Sequence, residues 1–157
     1  MASRYYYFDT SALIKLYFPE AGSDMVVDLV ADPSSVAVIS ELAILEVNSA
    51  LAKKAKRGEI TKEVWELLCG LFDRELMIAL SMRRLRLLPL HHSILTDGID
   101  LIRQGIRDYD RSITSLDSLH LASARTLSPL NAPFVSADKE LCDVATFLGL
   151  EVIVIGE

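Results

Sequence analysis

Four acidic residues occupy positions where a solvated surface carboxylate is not expected. Asp9 directly follows the strand-like run "RYYYF", and Asp138 follows the run "PFVSA". Glu46 and Asp117 lie inside helical segments, on faces made otherwise of apolar or small residues. Buried carboxylates need partners, and clustered carboxylates repel one another unless cations lie between them. Oxygen-only ligation is typical of Mg²⁺ or Mn²⁺ rather than zinc, so the pattern predicts a hard-cation site.

Each acid also has a purely structural interpretation. Asp9 and Asp138 could cap the helices that follow them, and Asp117 could be an acid favoured by the dipole of a first helical turn. Glu46 is in mid-helix, where its structural alternative is a salt bridge to another helix. His120 shares a helical face with Asp117, and we favour a packed or supporting role for its ring over metal ligation.

The elements that must position these acids alternate along the chain. Five short, almost continuously apolar runs predict strands at residues 4–8, 35–39, 85–90, 133–137 and 151–155. Helical spacing covers residues 11–18, 23–31, 41–57, 62–82, 93–105, 116–127 and 139–148. This alternation predicts a three-layer α/β/α fold with a parallel sheet of about five strands. Ligands of such folds bind beyond the carboxyl ends of the strands, where Asp9 and Asp138 are expected.

Bulk properties restrict the class of protein. The chain has 157 residues and 51% hydrophobic content, which predicts a single domain over residues 1–157. No apolar run is long enough for a membrane span or a signal peptide, so we expect a cytoplasmic protein without membrane association. Cys69 and Cys142 lie in apolar helical contexts and are expected to be buried free thiols.

Charge is distributed unevenly. The net charge is −6, but the stretch 53–111 holds 12 of the 16 basic residues against 9 of the 22 acids. A basic substrate track and ordinary solvated helix faces both fit this pattern. The basic candidates for substrate contacts are Lys15, "KKAKR" at 53–57, "RRLR" at 83–86, Arg103, Arg107 and Arg111.

Four segments in order resemble the PIN domain, and the compact chain resembles the VapC-type toxins of toxin-antitoxin pairs. They are "YFDTSALIKLYFPE", "LAILEVNSALAKK", "SLDSLHLASA" and "FVSADKELCDVATFLGLEV". The resemblance implies a sheet order of 3-2-1-4-5. It also implies that the metal-binding, catalytic acids are Asp9, Glu46, Asp117 and Asp138, supported by the hydroxyls of Thr10, Ser11 and Ser136.

The resemblance further implies a function. The chain is expected to be a Mg²⁺- or Mn²⁺-dependent endoribonuclease that hydrolyses RNA phosphodiester bonds, as the toxin of a toxin-antitoxin pair. Its partners are then RNA and a cognate antitoxin that blocks the acids with a basic side chain. A homodimer is also implied, with the amphipathic 62–82 helix packing either over the sheet or against a partner.

Two interpretations other than a ribonuclease are open to a chain with this topology. A phosphatase or receiver on the same topology fits poorly, because the residue two positions after Asp9 is Ser11 and "LRLLPLHH" offers no acceptor aspartate. A catalytically inactive PIN-like scaffold or RNA-binding module remains the alternative to an enzyme. RNA cleavage assays with Asp9→Asn and Asp117→Asn variants distinguish the enzyme from the binding module.

Overall fold

The computed structural model describes residues 3–156, in which strands and helices alternate along the chain as predicted. The strands are β1 Arg4–Phe8, β2 Ser35–Ser40, β3 Leu85–Leu88, β4 Phe134–Ser136 and β5 Val152–Val154. The helices are α1 Thr10–Leu13, α2 Ser23–Ala31, α3 Glu41–Lys56, α4 Lys62–Ser81, α5 His92–Tyr109, α6 Ser115–Arg125 and α7 Lys139–Phe147. Short 3-10 turns at Ile14–Leu16 and Ser128–Leu130 follow α1 and α6.

The five strands form one parallel sheet in the order β3-β2-β1-β4-β5, which confirms the predicted topology. β1 is the central strand and pairs with β2 on one side and β4 on the other. The chain therefore changes direction across the sheet between β1 and β4. A crevice for ligands is expected at the carboxyl ends of these two strands.

Adjacent residues of β1 enter opposite cores, because side chains alternate across a strand. Tyr7 packs with Leu101 of α5 and Leu121 of α6, whereas Phe8 packs with Val47 of α3 on the other face of the sheet. Both faces of the sheet are thus covered. This explains why β1 is apolar along nearly its whole length rather than alternating.

Element boundaries differ from the sequence prediction at several places, and three of these differences follow. The first helix is a single α-turn, Thr10–Leu13, which continues as a 3-10 turn to Leu16. β3 ends at Leu88, directly before a proline that cannot donate to the ladder. α5 runs to Tyr109 instead of stopping near Gly105, because the left-handed residue that ends it is Asp110, with φ of 51°.

The apolar stripe expected on the 62–82 segment is only partly buried. Phe72 is 2% exposed, and Trp65 and Leu68 pack partly against the same core. Leu67 and Ile78, which share the apolar spacing of this segment, are 73% and 49% exposed, so these two residues do not pack over the sheet. The face of α4 that contacts the sheet is rotated away from these two residues.

The expected free thiols are confirmed, although Cys69 is only half-buried while Cys142 is buried. In the described part of the chain, no helix combines the length and apolarity needed to cross a membrane.

Candidate active site

Asp9 leaves the end of β1 and is held from three directions. Its backbone N–H donates to the Val135 carbonyl at 3.1 Å, which ties it to β4. Its Oδ1 accepts from Ser11 Oγ at 2.8 Å and from the Ala12 N–H at 2.9 Å, while Oδ2 accepts from Ser136 Oγ at 2.5 Å. The residue is 3% exposed. Asp9 is therefore the N-cap of α1, and it is also fixed at the crevice between β1 and β4.

Burial has an electrostatic consequence for Asp9. Desolvation raises the pKa of this carboxyl group, and the hydrogen bonds from Ser136, Ala12 and Ser11 oppose that rise without cancelling it. No Lys or Arg forms an ion pair with Asp9 among residues 3–156. A buried carboxylate in this state gains from a bound cation.

Glu46 of α3 is held by a network that reaches across to α6. Its Oε2 accepts from Thr10 Oγ1 at 2.8 Å and contacts His120 Nε2 at 2.5 Å. His120 Nδ1 contacts the hydroxyl of Tyr7 at 2.8 Å. A carboxylate can only accept, so Nε2 carries the proton that is shared with Glu46, and in the neutral ring Nδ1 accepts from Tyr7. The interhelical partner considered for Glu46 is thus a histidine, and the packed role favoured for His120 agrees with its 2% exposure.

The pKa of Glu46 shifts in the opposite direction from that of Asp9. Burial alone raises it, but the hydrogen bond and charge of His120 and the hydrogen bond from Thr10 outweigh burial and lower it. Its side chain is 21% exposed, against 3% for that of His120. We refer to Asp9 and Glu46 as the inner pair of acids.

Asp117 and Asp138 line one cavity of about 180 Å³, which we call the acidic cleft. Asp117 accepts from Thr114 Oγ1 at 2.6 Å, and its N–H donates back to the same oxygen at 3.2 Å. Asp138 caps α7 by accepting from the Leu141 N–H at 3.0 Å. The cleft is lined by Arg111, Ser112, Thr114, Asp117, Asp138 and Glu140, with apolar Ile113, Leu141 and Val144. We refer to Asp117 and Asp138 as the outer pair.

Ser136 connects the two pairs. Its hydroxyl donates to Asp9 and accepts from the Asp138 N–H at 3.0 Å. Ser11 Oγ lies 3.1 Å from Ser136 Oγ and accepts from the Ala137 N–H at 2.9 Å. The hydroxyl residues expected to support the site therefore contact its acids, since Thr10 bonds Glu46 and Ser11 and Ser136 bond Asp9.

The donor set fits Mg²⁺ or Mn²⁺ in its chemistry, because the four acids supply only oxygen ligands. Within residues 3–156, no three side chains of His, Cys, Asp or Glu lie close enough together to hold a metal ion. Mg²⁺ usually keeps several waters and takes only one or two protein carboxylates besides phosphate oxygens. Among the described residues, no more than two of the four acids could therefore ligate one ion.

Several contributors were not identified from the sequence. Tyr7 was noted only as part of a predicted strand, and Thr114 and Glu140 were not singled out, whereas Arg111 was among the basic candidates for substrate contacts. The one available signal was His120, three residues after Asp117 on the same helical face. Pairing of His120 with Glu46 depends on how α3 and α6 approach each other, which spacing within either helix does not encode.

Comparison with known proteins identifies the family. Residues 6–146 match the PIN domain, and the chain belongs to this family. A search among curated proteins finds no match.

Solved structures with the same fold come from toxin-antitoxin systems. FitAcB from Neisseria gonorrhoeae is 14% identical with a TM-score of 0.67, covering 94% of this chain and 95% of its own. A toxin-antitoxin complex from Klebsiella pneumoniae is 17% identical with a TM-score of 0.54, covering 95% and 96%. VapC20 from Mycobacterium tuberculosis, a toxin that cleaves the sarcin-ricin loop, is 13% identical with a TM-score of 0.56, covering 92% and 95%. At these identities the likeness establishes the fold alone.

Proposed function

We propose that this chain is a Mg²⁺- or Mn²⁺-dependent endoribonuclease that acts in the cytoplasm as the toxin of a toxin-antitoxin pair. The observation that carries the proposal is Asp9, a carboxylate that is 3% exposed at the crevice between β1 and β4 and has no Lys or Arg ion-pair partner among residues 3–156. Such a group is costly to keep ionised unless a cation joins it. Membership of the PIN family and structural likeness to VapC20 support RNA as the substrate.

In this proposal the chain's own residues prepare a site for water and phosphate. Ser11 and Ser136 fix both oxygens of Asp9, and Thr10 with His120 fixes Oε2 of Glu46. Asp117 and Asp138 present carboxylates to the acidic cleft beside them. A divalent ion, when bound, supplies the charge that lowers the pKa of the attacking water and offsets charge on the leaving oxygen.

Hydrolysis is tested with purified protein and a panel of RNAs in Mn²⁺, in Mg²⁺ and in EDTA. We expect cleavage that requires the metal and is lost in both Asp9→Asn and Asp117→Asn. Asp100→Asn, which removes an exposed acid of α5, is the matched control and should cleave like the wild type. Cleavage that survives both site substitutions contradicts the metal-site assignment and indicates a contaminating nuclease.

One observation favours a second candidate, an RNA-binding module without activity. No three metal-ligating side chains converge within residues 3–156. Retention of RNA with no cleavage in any divalent metal, together with unchanged retention in Asp9→Asn, supports this candidate over the enzyme.

The proposal includes partners. A cognate antitoxin would place a basic side chain against the acids, which the net charge of −6 and the complexed state of the Klebsiella pneumoniae neighbour both support. A homodimer of this domain, taken as residues 1–157, could use the exposed apolar residues of α4, such as Leu67 and Met77, which are 73% and 66% exposed. Light scattering of the chain with and without its co-expressed antitoxin tests both partners.

A further inference from the structure

The segment between α5 and α6 has a fixed position. Asp110 takes a left-handed conformation, and the N–H of Arg111 donates to the Gly105 carbonyl at 2.9 Å. A Cβ on Gly105 would lie 2.7 Å from the Arg111 carbonyl oxygen and 2.9 Å from Ile113 Cδ1. Gly105 therefore lets the segment pack directly on α5, while Ile113, 6% exposed, anchors the segment in the core.

This packing brings Arg111 to the wall of the acidic cleft. Among the residues that line the cleft, Arg111 is the only basic one, and it faces the same cavity as Asp117, Asp138 and Glu140. Yet no ion pair within 4.0 Å joins Arg111 to any acid of residues 3–156. Asp117 and Asp138 bond instead to Thr114 and to the Leu141 N–H.

Other arginines around α5 and α6 are engaged differently. Arg107 pairs with Asp108 at 3.0 Å, Arg125 with Asp97 at 3.2 Å, and Arg103 lies 3.8 Å from Asp100. Most of the basic residues named as candidates from the sequence also contact nearby acids, carbonyl oxygens or aromatic rings. Lys15 binds Glu20 and the Ala21 carbonyl, Lys54 binds Glu59, Arg84 binds two backbone carbonyls, and Arg86 lies over the Tyr5 ring.

We propose that Arg111 contacts the RNA phosphate that enters the acidic cleft, an inference that rests on the proposed ribonuclease function. A guanidinium presents paired donors that match two phosphate oxygens, which makes arginine well suited to this contact. An acidic cleft repels RNA until cations balance it, so a cation in the wall of the cleft contributes directly to substrate affinity.

The test measures binding separately from cleavage. Fluorescent single-stranded RNA is titrated in EDTA against proteins that all carry Asp9→Asn, with Arg111→Ala, Arg111→Lys or Arg125→Ala added. Arg125→Ala is the matched control, since Arg125 lies outside the lining of the acidic cleft and is already paired with Asp97. We expect about 5- to 30-fold weaker binding for Arg111→Ala, partial recovery for Arg111→Lys, and a change within about twofold for the control. The slope of log K against log salt should fall by about 0.7 for Arg111→Ala, the value for one phosphate contact on a single strand.

The same substitutions are then made in the otherwise wild-type chain, with cleavage measured in Mn²⁺. Arg111→Ala should raise KM more than it lowers kcat, and its melting temperature should stay unchanged because no ion pair is lost. Equal RNA affinities for Arg111→Ala and Arg125→Ala overturn the inference if the wild type still cleaves RNA. If the wild type neither binds nor cleaves any RNA, the proposed function fails and the role of Arg111 fails with it.

Discussion

The inner and outer pairs of acids differ in how the fold holds them. Asp9 and Glu46 accept hydrogen bonds from side chains of distant elements, and the inner network includes the buried His120 and Ser136. Asp117 is bonded within its own first turn, and Asp138 is an exposed helix cap. The inner pair is therefore positioned by tertiary structure, whereas the outer pair is positioned locally and faces solvent. In the proposed function, this difference would separate the part of the site that must be rigid from the part that must admit substrate.

The largest expected effect compares one acid from each pair. Asp9→Asn should lower kcat/KM by about 1000-fold, because it removes a buried negative charge for which water and solvent ions cannot substitute. Asp138→Asn keeps the helix cap and should lower kcat/KM by about 10- to 100-fold, since solvent can reach the position. Single-turnover cleavage of the best RNA from the panel measures both. Equal losses for the two variants contradict the distinction between the pairs.

The next largest loss of cleavage is expected when the side chains that hold Glu46 in place are changed. His120→Ala leaves Glu46 Oε2 with Thr10 alone, so we expect a loss of about 10- to 100-fold in cleavage and in Mn²⁺ affinity. Tyr7→Phe keeps the ring packing but removes the hydroxyl on His120 Nδ1, and its loss should be smaller. Metal affinity is measured by calorimetry without RNA. If Mn²⁺ affinity is unchanged in His120→Ala, the histidine contributes packing only.

Removing one hydroxyl that contacts an inner acid, and one that contacts an outer acid, compares how much each contributes to the free energy of unfolding. Ser136→Ala removes a donor to buried Asp9 and an acceptor for the Asp138 N–H, and should lower the free energy of unfolding by about 1–3 kcal/mol. Thr114→Ala removes the N-cap of α6 and should cost about 1 kcal/mol. Urea unfolding curves with equal m-values give both numbers. If Thr114→Ala lowers the free energy of unfolding more than Ser136→Ala does, the conclusion that the inner pair is the more rigidly held is wrong.

The smallest expected effect is a gain of stability without metal. The pKa of Asp9 is raised in the fold, so its ionisation destabilises the protein above that pKa and has no such effect below the ordinary aspartate value of 3.8. Asp9→Asn should therefore melt above the wild type at pH 7 in EDTA, by about 2–4 °C if the difference is about 1 kcal/mol. The gap should close as the pH falls toward 3.8. Asp138→Asn is the control, and a gap that is constant with pH rules out titration of Asp9 as its cause.

Apolar period and turn residues predicted the layers and the positions of all five strands, because they report on local structure, whereas the strand order was implied by the resemblance to the PIN domain. Spacing left open whether the apolar face of residues 62–82 packs over the sheet or against a partner, since α4 has apolar residues around most of its circumference. Glu46 and His120 lie 74 residues apart in the sequence, and no local pattern encodes a contact over such a separation. Arg111 was one basic residue among many until the packing at Gly105 distinguished it.

The bond between Ser136 and Asp9 spans 127 residues of chain. β1 leaves the ribosome before β4, so Asp9 has neither its β4 partner nor the support of the Ser136 hydroxyl until residue 136 has emerged and paired. For a protein proposed to destroy RNA, this order of assembly has a protective value. A nascent chain that ends before β4 cannot contain the complete proposed site.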